Sequence, residues 1–131
     1  LSGKEEIIAA MEQFEQLHEK YLPKVDRRLV IDLLLRLREK PDAKPMYTVE
    51  TWIQPGEDTE DIRNQVIKRT GAAPAIYDNG THLVAAHKVD YDLLKEIQDH
   101  PKVIEIKGTY TGSTASGASM ESSRDTWKGE Q

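Results

Sequence analysis

Two histidines, His82 and His87, stand five apart in the stretch AIYDNGTHLVAAHKVD. Imidazole can ligate a metal or move a proton near neutral pH, so this pair is the first candidate for chemistry. The surrounding residues decide what it can do. Ala75–Tyr77 and His82–Val89 are apolar and β-prone, and Asp78-Asn79-Gly80 between them tolerates positive φ, so the stretch predicts a β-hairpin. Residues five apart in a strand face opposite sides, and the two rings cannot share one metal. Leu83, Ala85 and Val89 are expected to point at a helical layer with His87 in line, and His82, Val84, Ala86 and Lys88 at the other face. A second candidate is the acidic group Glu57, Asp58, Glu60 and Asp61. Carboxylates are favoured at a helix N-terminus, and the glycine and closing glutamate of a calcium loop are missing, so this group reads as a helix start. No nucleophile–base pair or metal set with an identifiable spacing occurs. The expectation is a chain with no catalytic residue, no metal and no cofactor.

The elements that must position these residues fall into three zones. Residues 1–45 read as a helical extension. Ser2 and Glu5 form a capping box, and Ile7, Met11, Phe14, His18 and Tyr21 follow 4-3-4-3 spacing as one apolar stripe. Leu22-Pro23 ends that helix, since proline restricts the residue before it and lacks a donor. Asp26 caps a second helix with Leu29, Val30, Leu33, Leu34 and Leu37 on one face, closed by EKPDAKP. Both stripes are expected to be buried, against the chain's own sheet or against a second copy.

The period then changes. In MYTVETWIQPG, Tyr47, Val49, Thr51 and Ile53 point one way and Thr48, Glu50, Trp52 and Gln54 the other, which is a strand ended by Pro55-Gly56. Asp58 or Thr59 caps a helix carrying Ile62 and Val66, with Ile67 beside them, that stops at Gly71. After the hairpin, Asp90 caps a helix with Tyr91, Leu94 and Ile97 stacked, His100-Pro101 ends it, and Lys102–Gly108 is the last strand. The order β-α-β-β-α-β over residues 46–111 predicts an α+β, ferredoxin-like sandwich. Residues 112–131 are rich in Ser, Gly and Thr and are expected to form a disordered tail, because they offer little apolar area to offset ordering entropy.

Composition limits the partners. A net charge of −5 argues against nucleic acid, whose phosphates require a basic stripe. No apolar run reaches the length of a membrane span. The absence of cysteine rules out disulfides and thiol chemistry. Together with the lack of a visible signal peptide, it leans toward the cytoplasm without fixing a compartment.

Three strings, YTV with QPGEDTEDI, GAAPAIYDNGTHLVAA, and LLKEIQDHPKVIEIKG, resemble in order the subtilisin propeptides and their stand-alone protease-inhibitor relatives, over about half the chain. In that family the open sheet face packs on the protease, and the segment after the last strand lies in its cleft. The resemblance implies that Trp52, Glu50, Val84 and Glu105 belong to the packing face. It further implies that Gly108, Thr109, Tyr110, Thr111 and Gly112 begin a cleft-binding tail. The two leading helices and the long C-terminal segment depart from the family pattern.

Two functions are thus expected. One is a non-enzymatic module that binds another protein, as an inhibitor or chaperone of a subtilisin-type protease. The other is an oligomeric regulatory or scaffold protein that forms a homodimer through its helices and binds a partner protein or small ligand on its sheet face. Trp52 bears on both, because an open sheet face that carries a tryptophan calls for a cover. The cover can be the N-terminal helices or another protein.

Overall fold

Local chemistry starts and stops each element of the computed structural model, which describes residues 2–112. Helix α1 spans Gly3–Tyr21. The Ser2 hydroxyl accepts from the Glu5 N–H and the Glu5 carboxylate accepts from the Ser2 N–H, so the expected capping box forms. Helix α2 spans Arg27–Glu39, with the Asp26 side chain accepting from the Arg28 N–H. Strand β1 (Met46–Ile53) is followed by α3 (Glu60–Thr70), and Asp58 rather than Thr59 supplies the side-chain cap, accepting from the Glu60 N–H at 3.0 Å. Helix α3 stops at Gly71, whose φ of +79° is a left-handed cap. Strands β2 (Ala75–Tyr77) and β3 (His82–Lys88) pair as a hairpin across Asp78–Gly80. Asp78, Asn79 and Gly80 all have positive φ, a region that glycine adopts freely and that Asp and Asn adopt more readily than other side chains. Helix α4 (Tyr91–Gln98), capped by Asp90, leads into β4 (Val103–Gly112).

The four strands form one antiparallel sheet in the order β2-β3-β1-β4, and with four helices among the described residues the fold is α+β. Burial alternates along β1 as its sequence requires, with Tyr47, Val49, Thr51 and Ile53 inward. On β3, Leu83 and His87 are buried, so the two histidines do take opposite faces. One apolar core joins these residues to Leu29, Val30 and Leu33 of α2, Ile62 and Val66 of α3, and Leu93, Leu94 and Ile97 of α4. The helical layer therefore lies on one face of the sheet.

Four expectations need correction. Residue 45 is not a packing boundary, because α2 and the preceding Leu22 and Val25 belong to the same core as the sheet. The α1 stripe is not buried. Only Phe14 and His18 are half-buried, whereas Ile7 and Met11 are 63% and 58% exposed. Leu34 leaves the buried face of α2 and is exposed with Ile31 and Leu35, since it lies too far around the helix from Leu29 and Leu33. The last strand does not stop at Gly108 but pairs with β1 as far as Gly112. The expected disordered tail beyond residue 112 lies outside the described residues.

Candidate protein-interaction face

Because the helices occupy one side, Thr48, Glu50 and Trp52 of β1 point to the other, as the alternation predicts. Register brings neighbours onto the same face. Trp52 lies opposite His82 on β3 and Glu105 on β4, and Glu50 lies opposite Val84 and Lys107. Trp52, Glu50, Val84 and Glu105, the four face residues implied by the propeptide resemblance, are thus brought together on one surface. The N-terminal helices do not cover it. Leu29 of α2 touches the position where a Cβ on Gly108 would stand, and Gly108 pairs with the inward-facing Val49, which places α2 on the other side of the sheet.

Side chains turn the register into a site. The Trp52 and His82 rings are stacked, with centroids 4.4 Å apart and planes 10° from parallel. His82 Nε2–H donates to Glu50 Oε1 at 2.8 Å, which fixes the imidazole in its plane over the indole. Its Nδ1 lies 3.5 Å from Asp78 Oδ2, reached because the left-handed residues of the hairpin turn bring Asp78 back toward the strand end. The Tyr77 ring flanks the imidazole at 5.9 Å, and Lys107 Nζ lies 5.5 Å from the centre of the indole. The result is an aromatic–imidazole platform with acidic and basic groups at its edge. Among the described residues no three His, Cys, Asp or Glu side chains are placed to hold a metal. The arrangement can stack, accept and donate hydrogen bonds, and pair charges.

His87, on the other face, is 4% exposed. Its Nδ1–H donates to the Lys88 carbonyl at 2.8 Å, and Nε2 is buried without a partner. Burial pushes its pKa down and keeps the ring neutral, with the Lys88 bond opposing this only in part.

The resemblance also implies that Gly108, Thr109, Tyr110, Thr111 and Gly112 begin a tail free to enter a cleft. The structure instead places them in β4, so the backbone edge facing β1 is already used. The reason lies on the helix side. Tyr47 is fully buried and its hydroxyl donates to the Asp32 carboxylate. Burial, and then that bond, push the phenol pKa well above its ordinary value. Arg36 Nε donates to the same carboxylate at 2.9 Å, and its guanidinium lies 3.3 Å over the Tyr110 ring. Tyr110 meets Tyr47 edge-on at 5.6 Å. This Tyr47–Asp32–Arg36–Tyr110 chain ties the end of β4 to α2 and holds it in the sheet.

Alternation along β3 already placed His82 on this face, whereas Tyr77, Asp78 and Lys107 were not legible in the sequence as members of it. The further step, that His82 stands opposite Trp52, follows from pairing β1 with β3 antiparallel. Comparison of the chain with protein-family models, with characterised proteins and with solved structures gives no match.

Proposed function

We propose that this chain is a non-enzymatic protein-binding module that uses its open sheet face, in the manner of a propeptide-like inhibitor or chaperone of a subtilisin-type protease. We read the strand order β2-β3-β1-β4, with helices on one side, as the ferredoxin-like sandwich of that family. The observation that carries the proposal is the Trp52–His82 stack on a face that no helix of the described residues covers. A tryptophan anchor surrounded by polar groups is the composition of an interface hot spot, where one aromatic supplies much of the binding energy. Glu50, Glu105 and Lys107 around it supply the polar rim. The extension of β4 to Gly112 moves any cleft-binding segment beyond that residue, and the proposed contact therefore rests on the face.

The test is a titration of the intact chain against a subtilisin-type protease, with turnover of a small substrate as the readout. Inhibition at micromolar concentration that weakens at least tenfold in Trp52→Ala supports the reading. Degradation of the chain as an ordinary substrate, without inhibition, overturns it for that protease class.

A further inference from the structure

Helix α1 has nineteen residues, a length of about 28 Å, yet none of them is buried. Its contacts gather near its C-terminal end. Phe14 packs against the core and stacks on His18 with planes 2° from parallel, and His18 Nε2–H donates to the Val25 carbonyl at 2.7 Å. Ile7 and Met11 continue the same stripe toward the N-terminus. They are exposed together with Ile8, and residues 2–13 are exposed without exception. The apolar line that seats Phe14 thus runs off the body with nothing beneath it. The unsupported part, residues 2–13, is as short as the isolated helices that are marginal in water, so a stripe of this kind calls for a partner.

A second unpartnered patch lies on the outer side of α2. Ile31, Leu34 and Leu35, at i, i+3 and i+4, form a compact apolar group with each residue 40% exposed or more. Exposed Arg27, Arg28 and Arg38 stand on the same helix. The two helices differ in charge. Helix α1 carries five glutamates against two lysines, a formal −3, and α2 carries four arginines against Asp32 and Glu39, a formal +2. Within one chain the two patches do not meet, since both are exposed. The Leu22–Asp26 connection is pinned to the edge of β4, with the Asp26 N–H donating to the Ile106 carbonyl and the Ile106 N–H to the Lys24 carbonyl, both at 2.8 Å. The ion pair between Arg27 and Glu15 fixes α1 further along its length.

We infer that the occupant is a second copy of this chain, and that the chain forms a two-fold dimer in which the free half of each α1 lies on the outer face of the partner's α2. The pairing is reciprocal, as a closed dimer requires, and sets an acidic apolar helix against a basic apolar one. It is independent of what binds the sheet face, which lies across the sheet from α2.

Sedimentation velocity on the full chain, at tens of micromolar, reads the mass against 14.9 kDa for one chain. The expected result is twice that mass. Two double variants, Ile7→Glu with Met11→Glu on α1 and Ile31→Glu with Leu34→Glu on α2, should each be monomeric. Far-ultraviolet circular dichroism checks that the fold is kept, and the α1 variant carries the test alone if the α2 variant unfolds, because its positions are the more exposed. Mixing the two variants should restore a dimer, since the mixed pair keeps one intact contact between α1 and α2. A monomeric wild type overturns the inference, and so does an α2 variant that stays dimeric, which would mean that α1 pairs with α1.

Discussion

Gly108 tests whether the end of β4 is a packed strand or the start of a binding tail. A Cβ built on it would stand 3.0 and 3.1 Å from the two Leu29 methyl carbons and 3.4 Å from the Thr48 carbonyl oxygen. Carbon atoms rest comfortably at about 3.5–4.0 Å, so Leu29 would have to retreat by roughly 0.5–1 Å. Leu29 is 1% exposed and lies within the shared core, so it has little room to do so. Overpacking of this kind costs about 1–3 kcal/mol. Replacing a strand-interior glycine with alanine returns about 0.5–1 kcal/mol of backbone entropy. Gly108→Ala should therefore destabilise the chain by about 0.5–2 kcal/mol in urea denaturation. The sign should reverse when the obstacle is removed. In a Leu29→Ala background, itself costing about 2–5 kcal/mol, Gly108→Ala should be neutral or stabilising by up to about 1 kcal/mol. Equal effects of Gly108→Ala in both backgrounds would refute the contact. No effect in either would return Gly108 to the role of a free tail residue.

Leu33→Ala should cost about 2–5 kcal/mol because the side chain is 1% exposed, whereas Ile7→Ala should stay within about 0.5 kcal/mol at dilute protein in thermal or urea melts. If α1 pairs with a second copy, the penalty of Ile7→Ala should grow with protein concentration. His87 supplies a pH signature. Below the ordinary histidine value of 6.5 the unfolded chain takes up a proton that buried His87 resists, so stability should fall as pH drops from there toward the lowered folded value, by at most about 1.4 kcal/mol per pH unit. His87→Phe should remove that slope in urea denaturation between pH 7.5 and 5.5, and parallel curves for the two proteins would count against a neutral buried ring. Trp52→Ala should weaken protease inhibition at least tenfold, about 1.4 kcal/mol, while costing only about 0.5–1.5 kcal/mol of stability in urea denaturation for the lost stack on His82, because the ring lies outside the helix-side core.

Period-two alternation was readable wherever a strand has one wet and one dry face. Tyr47, Val49, Thr51 and Ile53 followed it, as did the opposed histidines of β3. Helix starts were readable because capping is local chemistry, and Ser2, Asp26 and Asp90 all accept the bonds their types allow. Burial of a helix stripe was not readable, because an apolar line shows what could be covered without showing what is there to cover it. Helix α1 presents such a line, and the body reaches only as far as Phe14. The end of β4 was unreadable for a related reason. GTYTG looks like a turn-rich tail by composition, and only the long-range chain from Tyr47 through Asp32 and Arg36 to Tyr110 makes it a strand.

The same distinction separates the two surfaces. On the sheet face, Trp52 is already partly satisfied from within, since His82 stacks on it and Glu50 holds His82. A platform built this way is stiff before any partner arrives, and a rigid anchor loses little conformational entropy on binding, which favours tight association per unit of area. Ile7, Ile8 and Met11 have no such support, and their exposure leaves the helix end without tertiary packing of its own. A surface that gains both helix order and apolar burial from its partner suits a contact made once and kept. The preorganised Trp52 face suits a contact made with a separate protein.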